Sequence, residues 1–242
     1  MRTFFLPATS WREPYQVTGA EARHLVSVLR VKPGETIRLL DGEGREGEFT
    51  IMDTAKQRVT LRPERIFMHE KPAGLATLAL GFGKGLRRGW LLEKAVELEA
   101  GGVWFWQADR SQGKVPEEGK GTWFSQMTAG AKQSNNPWLP ELRTLPGGVD
   151  ELIAARSAFD RAYIVWEGDT KGSVITMRDI APNGSCLFVL GPEGGFTDRE
   201  VTGLINGGFA AVSLGKRILR WETAALLCLG LAWWARGQSD IV

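Results

Sequence analysis

Two glycine-bearing runs in the C-terminal third hold the residues best suited to chemistry. The first is Leu190-Gly-Pro-Glu-Gly-Gly195 and the second is Leu214-Gly-Lys-Arg-Ile-Leu-Arg-Trp-Glu-Thr-Ala224. Each follows a short apolar run, 186–190 and 209–214, of the kind that forms a buried strand. Each then leads into a helical pattern. Thr197 or Asp198 can cap the first of these helices, with Glu200 in its opening turn. The glycines thus lie at the carboxyl ends of strands, where open α/β sheets hold ligands. Glycine tolerates positive φ and lets a ligand come close to the backbone. Two such loops at neighbouring strand ends predict one ligand site.

The loops select a kind of ligand. Glu193 repels phosphate, and the first run carries no lysine. Leu190, Leu214, Ile218 and Leu219 offer apolar walls around loops rich in backbone donors and acceptors. An adenosine compound that is not strongly anionic suits such a site, and S-adenosylmethionine fits that description. The competing reading is two ordinary crossover turns. A third stretch, Gly81-Phe-Gly-Lys-Gly85, looks like a nucleotide loop but meets neither template. Leu86 stands where a dinucleotide fingerprint wants Gly or Ala, and no Gly-Lys pair is followed by Ser or Thr. Lys84, Arg87 and Arg88 read either as a solvated helix start or as a phosphate-binding edge.

Composition bounds the rest. The chain has 242 residues, enough for one large domain or two ordinary ones, and is 43% hydrophobic. Its net charge of +2 leaves any argument about partners to local clusters. Cys186 and Cys228 both sit in apolar segments and read as reduced core residues of a cytoplasmic protein. His24 and His69 lack a nearby Cys or His, so no metal site is expected. Pro7 breaks the N-terminal apolar run too early for a signal peptide. The longest apolar stretch, 224–235, falls short of the ~20 residues a membrane helix needs, so no membrane partner is expected.

Residues 1–68 read as a small β-rich domain. Its one helix, 18–29, has Thr18 as cap, Glu21 at the capping-box position, and Leu25, Val28 and Leu29 on one face. Strands at 36–40, 46–53 and 58–62 are separated by turns at 32–35 and 41–44. Residues 69–74 read as a linker. Strands at 75–80, 103–107, 161–166, 185–190 and 210–214 then alternate with helices at 86–100, 119–134, 149–157, 198–206 and 222–235, with an extended piece at 138–145. This alternation predicts a mainly parallel α/β sheet. The last helix is apolar nearly all round, so it is buried in the domain or covered by a second subunit.

Taken together, the two loop runs resemble the SPOUT superfamily of knotted methyltransferases, and more narrowly the RsmE family, which methylates uridine N3 in small-subunit ribosomal RNA. His24-Leu-Val-Ser-Val-Leu-Arg30, Lys84, Lys94-Ala-Val-Glu-Leu98, Asp109-Arg-Ser111 and Lys132-Gln-Ser134 also fall in family order, so the resemblance spans most of the chain. The chain departs from the family pattern at Glu99, where Gly is usual. It departs again at Asn135-Asn136, where Gly-Arg is common, and at Trp221, where Thr is common.

The resemblance implies an α/β fold with a SPOUT-type parallel sheet and a C-terminal trefoil knot in residues 75–242, preceded by a PUA-like RNA-binding β-barrel in residues 1–68. It implies S-adenosylmethionine as cofactor. The cofactor would be held by Trp166 and Glu167 at one strand end, by Leu190, Gly191, Glu193, Gly194 and Gly195, and by Leu214, Gly215, Ile218, Leu219, Thr223 and Ala224. The implied partners are 16S ribosomal RNA within the small ribosomal subunit and a second copy of the chain. Arg220 would stabilise charge on the uridine carbonyls; Glu222 would act as base or simply cap the last helix. Arg23, His24, Arg30, Lys84, Arg87 and Lys132 are the candidate RNA contacts, each with a solvated surface charge as its alternative. Two other functions stay open: methylation of another RNA base or ribose, and a non-catalytic role in ribosome assembly.

Overall fold

Alternation of apolar and polar residues builds the N-terminal sheet. In β3 (Thr36–Leu40) and β4 (Arg45–Ala55), Ile37, Leu39, Phe49 and Ile51 are buried while Arg38, Glu48 and Thr50 stay partly exposed. The computed structural model describes residues 1–83, 87–168, 174–180 and 184–239. It divides into two units, Met1–Lys71 with Thr128–Leu139, and Pro72–Met127 with Pro140–Val242.

The first unit adds β1 (Arg2–Phe5), β2 (Gln16–Thr18) and β5 (Arg58–Met68) in the order β1-β3-β4-β5-β2. β1 runs parallel to β3, and the remaining pairs are antiparallel. Bulges in the β4–β5 pair at Glu48/Phe49 and Ile51/Asp53 bend and twist the hairpin. Its core gathers Phe4, Trp11, Val17, Leu25, Phe49 and Val59.

The helix expected at 18–29 is altered in two ways. α1 spans only Gly19–Arg23 and continues as a wider π turn, His24–Val28, in which the Leu29 amide bonds the His24 carbonyl at 3.0 Å. The wider turn breaks the expected apolar face: Leu25 is fully buried, whereas Val28 is 65% exposed. Thr18 makes no capping bond. The Glu21 carboxylate instead accepts from the Phe5 amide at 3.3 Å and from Lys132 Nζ at 3.0 Å.

The second unit carries six strands, all parallel: β6 (Ala76–Gly81), β7 (Gly102–Trp106), β8 (Glu141–Leu145), β9 (Arg161–Val165), β10 (Cys186–Leu190) and β11 (Ala210–Val212). Their order is β11-β9-β10-β6-β7-β8. β6, β7 and β10 are buried along their whole length, as strands covered on both faces must be. The helices after β6 are α2 (Arg88–Glu97), α3 (Gly121–Ser134, whose residues from Thr128 on belong to the first unit), α4 (Val149–Ala155), α5 (Asp198–Asn206) and α6 (Trp221–Ser239). Leu152 of α4 and Val201 and Leu204 of α5 cover one face of the sheet, against Ala79, Trp104, Trp106, Ile164, Leu187 and Val189. α6 packs on β6, β10 and α2. It is not buried all round: Leu227, Trp233 and Trp234 are exposed. Among the described residues no helix is long and apolar enough to cross a membrane.

Candidate cofactor and substrate site

Parallel strands end together on one edge, and three of these ends make the site. Beyond β9, β10 and β11 the chain wraps an open cleft. β9 lies between β10 and β11, so the two glycine loops do not follow adjacent strands as expected. The end of β9, with Val165, Trp166 and Glu167, fills the gap between them. Leu190, Gly191, Glu193 and Gly195 line one side, and Leu214, Gly215, Ile218, Leu219 and Ala224 the other.

Gly194 and Thr223, also expected to hold a cofactor, do not line the cleft. Gly194 packs against the Arg110 side chain, and Thr223 lies exposed on the first turn of α6. Pro192, Phe196, Ser213 and Arg217 line the cleft without having been singled out from sequence, and Trp221, marked there as a departure from the family pattern, lines it too. Their signal was adjacency to the glycines. Arg220 and Glu222 also stand outside the lining; Arg220 is exposed and Glu222 half-buried.

The first loop is held from several directions. A Cβ on Gly81 would lie 2.3 Å from the Pro192 nitrogen, so glycine at the end of β6 permits close approach of this loop. That is a structural need of the third glycine stretch, separate from any anion. Trp106 Nε1 donates to the Leu190 carbonyl at 3.0 Å, and its ring stacks on Phe196 with centroids 5.8 Å apart. Arg110 Nη1 donates to the carbonyls of Gly194 (2.9 Å) and Phe196 (3.2 Å). Gly195, at φ 71°, closes the turn by donating to the Pro192 carbonyl at 2.8 Å.

Thr197 and Glu200 then form a full capping box at the start of α5. The buried Glu200 carboxylate accepts from the Thr197 amide at 2.7 Å and from the Asp109 amide at 2.8 Å, tying the loop after β7 to the same point. In the second loop, Gly215 at φ 116° donates its amide to Ser213 Oγ at 3.1 Å.

The lining fits a neutral-to-cationic adenosine ligand. Leu190, Leu214, Leu219 and Ala224 supply apolar wall, and the carboxylates of Glu167 and Glu193 suit a positive centre. Trp221 Nε1 is buried without an acceptor among the described residues. No acidic, histidine or cysteine cluster fit for a metal occurs among the described residues.

The basic residues divide. Arg23, His24 and Arg30 are exposed on the first unit, and Arg87 is exposed just before α2. Lys132 is not a free charge, because Glu21 pairs with it at 3.0 Å. Arg88 is not a solvated one: it donates to the Gly83 carbonyl and lies over the Phe82 ring at 4.7 Å, and burial lowers its pKa. Lys84 lies outside the described residues.

Comparison with known proteins agrees with this architecture. The family described as an RNA methyltransferase domain matches residues 69–233, and an RNA methyltransferase PUA domain matches residues 17–64. Ribosomal RNA small subunit methyltransferase E of Bacillus subtilis is 26% identical over 95% of this chain and 94% of its own. Its counterpart in Mycobacterium bovis is 30% identical over 88% of this chain and 84% of its own. The crystal structure of the Neisseria gonorrhoeae ribosomal RNA small subunit methyltransferase E bound to S-adenosylmethionine superposes with a TM-score of 0.77 at 27% identity, covering 95% of each chain. With a family match across two thirds of its length and full-length relatives of one name, the chain belongs to the ribosomal RNA small subunit methyltransferase E family of RNA methyltransferases.

Proposed function

We propose that this protein transfers a methyl group from S-adenosylmethionine to N3 of one uridine in 16S ribosomal RNA, acting on the small ribosomal subunit in the cytoplasm. The observation that carries the reading is the cleft at the ends of β9, β10 and β11, apolar on its walls and acidic at Glu167 and Glu193. When bound, S-adenosylmethionine supplies an electrophilic methyl on a sulfonium centre. Transfer forms the N3–carbon bond, breaks the sulfur–carbon bond and releases the N3 proton.

Uridine N3 is protonated in the neutral base and is a poor nucleophile. Its loss of a proton spreads negative charge over N3, O2 and O4. Arg220 would stabilise that charge, since its planar fork suits a carbonyl edge. It is exposed just before α6, without an ion pair among the described residues. Glu222, two residues on, would receive the proton or cap α6. Leu190, Leu214 and Leu219 keep water from the reacting atoms, and the fixed loops align them. Trp166, Glu167, the Gly191–Gly195 turn and Ala224 hold the cofactor in this reading. Gly194 acts through its hold on Arg110, and Thr223 through the start of α6.

Arg23, His24, Arg30 and Arg87 are the basic residues best placed to contact RNA phosphates; Lys132 contributes only if Glu21 releases it. The target base would be turned out of its stack to enter the cleft. The reading also includes a C-terminal trefoil knot and a homodimer. The exposed Leu227, Trp233 and Trp234 of α6 support the dimer, because a partner would bury them. Division into an RNA-binding unit and a catalytic unit joined at residues 69–74 belongs to the same proposal.

Mass spectrometry of 16S ribosomal RNA from a strain lacking the gene tests the reading. One 3-methyluridine should be missing and should return on complementation. An unchanged modification map would contradict it.

A further inference from the structure

Among the described residues that line the cleft, three carry charge: Glu167 beyond β9, Glu193 in the first glycine loop and Arg217 in the second. Each is exposed, and none pairs with another charged side chain among the described residues. The two signs of charge therefore stand on different walls of one open cleft. The backbone leading to Arg217 is held locally. Ser213 Oγ accepts from the Gly215 amide at 3.1 Å and donates to the Gly215 carbonyl at 3.0 Å. Lys216, its neighbour, is exposed but does not line the cleft.

A guanidinium without a carboxylate partner is suited to grip an anion through two parallel donors. Two carboxylates in the same lining repel a polyanion such as an RNA backbone. A ligand carrying both signs of charge suits all three residues. S-adenosylmethionine has a sulfonium, an ammonium and one carboxylate, two positive charges and one negative. The lining offers the opposite set, two carboxylates and one guanidinium.

We infer that Arg217 is a specificity-determining residue that recognises the α-carboxylate on the methionine half of the cofactor. The inference rests on the proposed cofactor and assigns a residue to the half of the molecule that the apolar walls do not read. It makes the cleft select an intact amino-acid tail over adenosine compounds without a carboxylate.

The test titrates S-adenosylmethionine and its decarboxylated form, which keeps the sulfonium and the ammonium, into wild type, Arg217→Ala, Arg217→Lys and Lys216→Ala by calorimetry. Wild type should bind the decarboxylated compound about 5- to 10-fold more weakly than the cofactor, the loss of one ionic hydrogen-bonded pair at an exposed site. Arg217→Ala should lose the same factor for the cofactor and bind the decarboxylated compound within about twofold of wild type, as a double-mutant cycle requires of interacting groups. Arg217→Lys should recover part of the loss, because an ammonium keeps the charge without the fork. Lys216→Ala should bind both as wild type does. Equal losses with both compounds in Arg217→Ala overturn the inference in favour of a general effect on the loop. A matching loss in Lys216→Ala overturns it in favour of long-range charge. Unchanged affinity of Arg217→Ala for S-adenosylmethionine overturns it outright, and weakened binding of small ribosomal subunits by that variant would then assign the residue to RNA. If wild type binds neither compound, the proposed function fails and takes this inference with it.

Discussion

Trp106 donates its indole N–H to the Leu190 carbonyl at 3.0 Å, reaching across β6 from the end of β7 to the end of β10. Leu190 lines the cleft, and the same indole stacks on Phe196, which also lines it. One buried side chain thus fixes both ends of the first glycine loop. Trp106→Phe keeps an aromatic ring and removes the bond. It should cost about 1–3 kcal/mol of stability, read by denaturant unfolding, and several-fold in affinity for S-adenosylhomocysteine. Wild-type values of both would show that the loop is held elsewhere.

Gly81→Ala should be severe. The added carbon would lie 2.3 Å from the Pro192 nitrogen, which is backbone and cannot rotate away. The first loop must shift, with about 1–3 kcal/mol lost and cofactor affinity down at least about tenfold. Gly121→Ala is the control, since nothing lies within 4 Å of its added carbon, and it should change neither quantity. Calorimetric titration of both variants checks the pair.

Arg220→Ala separates chemistry from binding. Arg220 stands outside the cleft lining, so cofactor affinity should stay within about twofold of wild type. Methyl transfer should fall by about 100-fold or more, as when one charge-stabilising donor is removed. Arg220→Lys should restore only part of it, because an ammonium lacks the planar fork. Full transfer by Arg220→Ala would remove Arg220 from the mechanism.

Acid sensitivity has a local source in the second unit. Asp160 accepts from the Ser185 amide at 2.7 Å and from the Ser185 hydroxyl at 2.9 Å, and these bonds hold its carboxyl below the ordinary 3.8. Asp179 is lowered in the same way by the Thr176 hydroxyl and amide. A depressed folded-state pKa contributes stability that is complete above the unfolded value and is lost as pH falls through the folded one. Stability should therefore drop as pH falls below 3.8, and Asp160→Asn should show a smaller drop over that range in unfolding midpoints. An identical pH profile for the variant would assign the loss to other carboxylates.

Much of the second unit was legible in sequence because β6, β7 and β10 are buried on both faces and so read as plain apolar runs. Thr197 and Glu200 also announced the start of α5, since a capping box is a local pattern. The order of strands was not legible. Nothing in residues 161–166 said that β9 would lie between the strands bearing the two loops.

The helix at 18–29 misled for a tertiary reason. Glu21 was drawn from its capping position by the Phe5 amide and by Lys132, more than a hundred residues away in sequence. Arg110 and Trp106 were missed as loop anchors because their partners are backbone carbonyls some eighty residues distant. Trp221 stood out in sequence as a departure from a family pattern beside the proposed site, and it does line the cleft. Its unpaired ring nitrogen is visible only once the cleft is built.

Methyl transfer to uridine N3 can be measured directly. Purified protein, S-adenosylmethionine carrying a labelled methyl group, and small ribosomal subunits from a strain lacking the gene form the direct assay. About one labelled methyl per subunit is expected, recovered as 3-methyluridine in a single nuclease fragment of 16S ribosomal RNA. Label recovered on another base, on ribose, or not at all would contradict it.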